Sequence, residues 1–390
     1  MGGDTGNYLR MVQDSYSAAP APYAYRILVP FIVKLMPLPP ELGFLITTGL
    51  GLFVSLVLSY LLLRRLGFGH VTSSVTMLML SMSFPIAFYA GTWGWVDPVA
   101  YALLLLSLWY AGQHRYGLSV LVLVAGTLAK ETVLIGLPLL VATVWKSQTQ
   151  SRKIRSLFAA AILFVAGVSY WLVRYLIDPV PGRWDVHGLA DLWKNWQFIL
   201  TYNLRDVDPV SRIGREFLRS YGFLWIAAFL GWKQMPRLRW VPIYFLTFAL
   251  ALCFVATDWS RMLGWAFPGV FLPVAWFLQR YFEATAHSGK DGVSGYHAGY
   301  LLQHRMVLRK FGPVAALLML GLTQCWLSLM GYSLLDDQQK IWYVLATVMV
   351  FLLGSGLSVF VYLQGCPSNQ SVMPARSSVN TSLSPIIEEK

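Results

Sequence analysis

Apolar runs long enough to form membrane-crossing helices recur along the chain from Glu41 to Gly365, separated by short polar links. Read against the ~20 residues that a bilayer needs, the runs predict about eleven helices. They fall near 41–63, 71–90, 97–113, 117–129, 132–145, 157–177, 217–232, 240–257, 262–279, 312–332 and 341–363. The fold class this predicts is all-α, a polytopic transmembrane helix bundle with interfacial helices in its outer loops. The stretch 117–145 is too long for one crossing that begins and ends between basic links. It reads as two short apolar limbs meeting at Ala129-Lys130-Glu131, and broken limbs at membrane depth are tolerated where they are buried in protein or line a watery cavity.

The links alternate in charge. One set is basic: Arg64-Arg65, Gln113-His114-Arg115, Lys146 to Arg155, Lys233 to Arg239 and Arg305 to Lys310. The other set holds Asp97, Glu131, Asp178, Asp258 and Asp336-Asp337. Basic links mark the cytoplasmic side. The acids therefore collect on the far face, where a reaction or binding site is expected. An odd number of crossings puts the N-terminus outside and the C-terminus inside.

Three stretches stand apart from the spans. Residues 1–40 form an outer segment whose part from Tyr23 to Pro37, with Arg26 and Lys34 interrupting an apolar helical pattern, suits an interfacial helix. Residues 178–216 form the longest outer loop, rich in Trp, Arg and Asp. The bundle as a whole occupies 41–363. Residues 364–390 are Ser/Asn-rich and read as a disordered cytoplasmic tail, which leaves the glycosylation-type triplets at Asn369 and Asn380 facing the wrong compartment.

Composition agrees with the pattern. The 390 residues are 56% hydrophobic and 12% charged, about half the charge of a soluble domain. The net charge of +12 is dispersed among the links, which fits positive-inside topology and argues against nucleic acid. Cys253, Cys325 and Cys366 have no paired spacing, so neither a disulfide framework nor a zinc site is expected. No His or Cys pair has metal-ligand spacing. No cofactor is called for, and the motifs leave a divalent metal open.

Candidate chemistry sits in the outer links. In Gly3-Asp4-Thr5-Gly6-Asn7-Tyr8, the Asp4 carboxylate could take a proton from a hydroxyl acceptor. Arg26, in Tyr25-Arg26-Ile27-Leu28-Val29-Pro30, offers a fork for phosphate at headgroup level. A solvated tail with an anchoring Arg is the plain alternative. Asp97, in Trp93-Gly94-Trp95-Val96-Asp97-Pro98, can cap the helix it opens, line a site, or do both. Lys130-Glu131 is an ionisable pair at membrane depth, costly unless it serves a function. Adjacent residues do not face each other on a helix, so separate partners are expected, with Lys130 as an anion ligand; mutual neutralisation as a structural ion pair is the plain alternative. In Thr257-Asp258-Trp259-Ser260-Arg261, Arg261 could bind phosphate and Asp258 could orient it, or the turn could be a local cap.

These residues resemble the GT-C class of integral-membrane glycosyltransferases. The likeness lies in Gly3-Asp4-Thr5-Gly6-Asn7-Tyr8-Leu9-Arg10 with Tyr25-Arg26-Ile27-Leu28-Val29-Pro30, in Asp97-Pro98 opening a span, and in Ala129-Lys130-Glu131-Thr132. The resemblance implies an inverting transfer of a sugar from a polyprenyl-phosphate donor to an extracytoplasmic lipid, glycan or protein acceptor, in a bacterial inner membrane. It implies Asp4 as the catalytic base, with Asp97 and Glu131 as further acids of the site. Arg26, Lys130 and Arg261 would bind the donor phosphate, with Tyr8 and Asp258 in support. One departure is that no transmembrane helix precedes Asp4. That implies a span missing from the start, or else Asp4 on a loose tail. A transporter or flippase of a lipid-linked or anionic solute remains an alternative, though the ionisable residues cluster at span ends and no repeat is visible. A polysaccharide polymerase or ligase, drawing on the 178–216 loop, is another.

Overall fold

The computed structural model describes residues 4–91, 94–146, 151–180, 193–194, 197–198, 201, 214, 216–217, 220–222, 224–235, 239–253 and 259–287. These are mostly α-helical. Among the described residues the only β-type pairing is an isolated parallel bridge between Pro20 and Val180. The predicted spans 312–332 and 341–363, the tail 364–390, Asp336-Asp337 and most of the 178–216 loop lie outside the described residues.

The N-terminal segment is not a loose tail. Asp4–Gln13 forms helix α1, with Tyr8, Leu9 and Met11 buried. Two 3-10 turns, Tyr16–Ala18 and Tyr23–Tyr25, lead into α2, Leu28–Leu35. The expected interfacial helix is thus shorter than Tyr23 to Pro37. It buries Val29, Pro30 and Val33 and exposes Phe31, Lys34 and Leu35. Helices α1 and α2 pack on each other and on the helix that follows, which orders the segment.

That next helix, α3 (Pro40–Arg65), has Pro at its first position, Glu41 in its first turn and Arg64-Arg65 in its last, all of which suit the helix dipole. The predicted span 71–90 is two helices, α4 (His70–Ser81) and α5 (Phe84–Gly91). Pro85 explains the break, because it lacks an N–H and its ring would collide with the carbonyl four residues earlier. Next come α6 (Asp97–Gly112) and α7 (Tyr116–Ala129). The chain then breaks at Lys130 in extended conformation and passes through a 3-10 turn, Glu131–Ile135, into α8 (Gly136–Lys146). The two short limbs expected in 117–145 are therefore two helices joined through that turn. Helices α9 (Arg152–Leu176), α10 (Leu224–Gln234), α11 (Trp240–Cys253), α12 (Trp259–Gly264) and α13 (Phe267–His287) complete the described bundle.

Among the described residues two helices, Pro40–Arg65 and Arg155–Leu176, are long and apolar enough to cross a membrane. The core packs α3 on α6, α6 on α7 and α10 on α13. At Gly51 of α3, a Cβ would meet the Pro98 carbonyl carbon at 2.7 Å, so only glycine permits this approach to the start of α6. At the other end Arg65 donates to the Gly112 carbonyl. Helices α3 and α6 therefore run parallel. Between α6 and α7, Ser107 and Ser119 exchange hydroxyl-to-carbonyl hydrogen bonds of 2.9 and 2.8 Å, the small polar clasp common between apolar helices.

Candidate functional site

The start of α6 and the end of α7 lie at the same end of the bundle, joined by Asp97 and Lys130. Asp97 opens α6 ahead of Pro98, and Lys130 follows the last turn of α7. The Lys130 ammonium donates to Asp97 Oδ1, and both side chains are about 1% exposed. Lys130 also stands 6.0 Å from the Trp265 ring centroid. A buried charge needs a partner of opposite sign and full hydrogen bonding, which explains why each is found with the other.

Glu131 takes a different partner, as expected for adjacent residues. Arg26, buried between the second 3-10 turn and α2, grips it in a fork. Its Nε donates to Glu131 Oε2 at 3.0 Å and its Nη2 to Oε1 at 2.5 Å. Nη1 donates to the Tyr8 hydroxyl at 3.0 Å, so all three guanidinium nitrogens are engaged. Burial works against the Arg26 charge, but the Glu131 carboxylate and Tyr8 outweigh it and raise its pKa well above the ordinary value. Burial raises the Tyr8 phenol, partly opposed by Arg26.

The third pair joins the two ends of the described chain. Arg261 Nη1 lies 2.6 Å from Asp4 Oδ2, and its guanidinium stacks over Trp95 at 4.6 Å. Asp4 Oδ1 accepts from the Tyr23 hydroxyl at 2.7 Å. Burial, and then the Asp4 charge, raise the Tyr23 phenol, so it remains a donor throughout the neutral range. Each Asp4 oxygen accepts one of these bonds and keeps room for a further donor. The loop before α6 closes over this pair. Gly94 has φ +90°, and a Cβ there would run into the Thr5 side chain, so α1 and this loop fit together only through glycine.

Six of the eight sequence-predicted residues thus pair off as Asp4 with Arg261, Arg26 with Glu131, and Asp97 with Lys130. Tyr8 joins them through Arg26, and its ring meets that of Tyr23 edge-on at 5.8 Å. Asp258 lies outside the described residues. The pairing was not legible in advance: the cations expected to face a phosphate each hold a carboxylate, so the three pairs sum to zero charge. Tyr23, Trp95, Trp265 and Gly94 take part without having been singled out. Gly94 and Trp95 stood in the same stretch as Asp97 and Tyr23 in the same segment as Arg26, which does not say which ring or hydroxyl faces inward, and Trp265 fell inside a predicted span and gave no signal.

Among the described residues no group of three or more His, Cys, Asp or Glu side chains is placed to hold a metal ion. No protein-family model, curated protein or solved structure matches the chain.

Proposed function

We propose that the protein is a multi-pass membrane glycosyltransferase that moves a sugar from a polyprenyl-phosphate donor to an extracytoplasmic acceptor, with inversion. One observation carries this reading. Asp4, Arg26, Asp97, Lys130 and Glu131, and Arg261 come from distant parts of a lipid-soluble chain, yet gather in one charged cluster at the end opposite Arg64, Arg65 and Gly112. Burying three ion pairs at a helix-bundle end is expensive. The chemistry of a charged, amphiphilic donor is a reason to retain them.

On this reading the acceptor hydroxyl docks on Asp4, which takes its proton as the acceptor oxygen bonds to the anomeric carbon. The bond from that carbon to the phosphate oxygen breaks, and polyprenyl phosphate leaves with one more negative charge. Lys130 and Arg261 stabilise that charge. Asp97 orients Lys130, while Arg26 uses its three nitrogens to position Glu131 and Tyr8. Tyr23 and Arg261 fix the direction of Asp4. The basic ends face the cytoplasm of a bacterial inner membrane, and the donor reaches the site from within the lipid.

The test is transfer in proteoliposomes supplied with a panel of radiolabelled polyprenyl-phosphate sugars and candidate acceptors, comparing wild type with Asp4→Asn. The expected result is transfer with inverted anomeric configuration by the wild type and its loss in the variant, with the unfolding temperature retained. Full activity of Asp4→Asn would remove Asp4 from the reaction. A wild type that transfers from no donor, but carries a lipid-linked solute across the bilayer, would make the protein a transporter instead.

A further inference from the structure

The three cations of the cluster are each matched by a carboxylate, so together they bring no net positive charge to an anionic ligand. Another arginine lies beside them in a different setting. Arg174, in the last turn of α9, has its guanidinium carbon 3.5 Å from the Tyr170 ring centroid and 4.6 Å from that of Tyr25. Tyr25 directly precedes Arg26. The Val180 N–H also donates to the Ser17 carbonyl at 3.0 Å. The N-terminal segment that carries Asp4, Tyr23 and Arg26 is thus laid against the end of α9.

Among the described residues no carboxylate pairs with Arg174. Its Nη1 makes a long 3.4 Å contact with the Tyr170 carbonyl. Cation–π contact with two rings does not consume N–H donors, so Nε and Nη2 are left for an oxyanion. The C-terminal end of α9 favours a cation and takes up only Nη1 of the guanidinium fork.

Next to Arg174 the surface turns apolar. Trp171 is 70% exposed, and Phe164, Val168, Leu172 and Leu176 are exposed on the same helix. A half-buried arginine above a stripe of exposed apolar side chains matches an amphiphile with an anionic head and a long hydrocarbon tail.

We propose that Arg174, held between Tyr25 and Tyr170, binds the phosphate of a membrane lipid whose chain lies along α9. The phosphate could be carried by a polyprenyl monophosphate or by a bulk phospholipid. The site deepens the donor reading above and rests on it for the membrane setting.

The test measures retention of radiolabelled polyprenyl monophosphate, phosphatidylglycerol and uncharged polyprenol by the full chain in neutral detergent. Wild type is compared with Arg174→Gln, Arg174→Lys and, as a surface control, Arg10→Gln. The expected result is at least about a tenfold loss of phosphate-lipid binding in Arg174→Gln, the size of a lost charge-assisted hydrogen bond. Partial recovery is expected in Arg174→Lys, with no change in Arg10→Gln or in polyprenol retention.

Loss confined to polyprenyl monophosphate assigns the site to the donor, and equal loss for both phosphate lipids assigns it to headgroups in general. Unchanged binding of both by a folded Arg174→Gln overturns the proposal. Should that variant not fold, a Tyr175→Cys variant without native cysteines supplies the answer. Its maleimide labelling must be slowed by a phosphate lipid and not by polyprenol, and equal labelling overturns the site. Binding is read without sugar transfer. A wild type that binds through Arg174 but transfers nothing would keep this site and lose the transferase reading.

Discussion

Arg261 and Asp4 are paired at 2.6 Å although 257 positions separate them. The contact draws α1 onto α12, and Trp95 from a third segment stacks on the same guanidinium. The residue proposed as the base is therefore held by side chains from the far end of the described chain. Its position depends on the whole bundle being assembled.

The buried Asp97–Lys130 pair should behave as a unit. Asp97→Ala leaves an unmatched ammonium that is about 1% exposed, and removing one partner of a buried pair costs about 3–5 kcal/mol. The double variant Asp97→Ala/Lys130→Met should recover most of that stability while remaining inactive in transfer. Unfolding of the three proteins in detergent provides the check, and a double variant no more stable than Asp97→Ala would contradict the coupling.

Arg26→Lys keeps the charge and loses the fork. With Glu131 and Tyr8 no longer held together, a loss of about 1.5–3 kcal/mol is expected, the value of a hydrogen bond to a charged group. Thermal unfolding reads the stability, and the transfer assay reads the accompanying loss of activity. A variant equal to wild type in both would make the fork dispensable.

Tyr23→Phe removes the donor to Asp4 Oδ1 and little else. The expected cost is about 1 kcal/mol in stability, with transfer reduced by roughly tenfold through misdirection of the carboxylate. A fall in the turnover rate larger than any rise in KM marks Tyr23 as a positioning residue for the chemical step. An effect on stability alone would make it purely structural.

Gly94→Ala combines a positive φ with a collision against Thr5. More than about 1 kcal/mol of destabilisation is expected, together with a loosened α1 that becomes an earlier site of limited proteolysis. Cleavage and unfolding matching the wild type would show that the loop can relax around the methyl group.

The two ends of the bundle should face opposite sides of the membrane. With Cys253, Cys325 and Cys366 replaced by Ala, a single cysteine at the exposed Ser15 should react with an impermeant maleimide on intact cells. One at the exposed Lys153 should react only after permeabilisation. Labelling of both from the same side would overturn the proposed topology.

The sequence was legible where one dimension is enough. Apolar run length predicted α3 and α6 to within a few residues, and it required the two limbs that meet at Lys130. It missed the α4–α5 break, because hydropathy sums over a window and does not register the missing N–H of Pro85. It assigned a helix within 1–40 only from Tyr23 and left a tail open for the residues before it, because α1 is ten residues long and too polar on average for an apolar run to register.

For the cluster, the links between apolar runs supplied the ionisable residues, since a charge interrupts an apolar run and so gathers at its ends. What they could not supply was the pairing. Nothing along the chain says that Asp4 meets Arg261 rather than Arg26, or that Tyr25 and Tyr170 enclose Arg174. Run length and charge placement are local properties, read residue by residue along the chain. Partner choice is set by which helix ends meet, and only the packed bundle decides that.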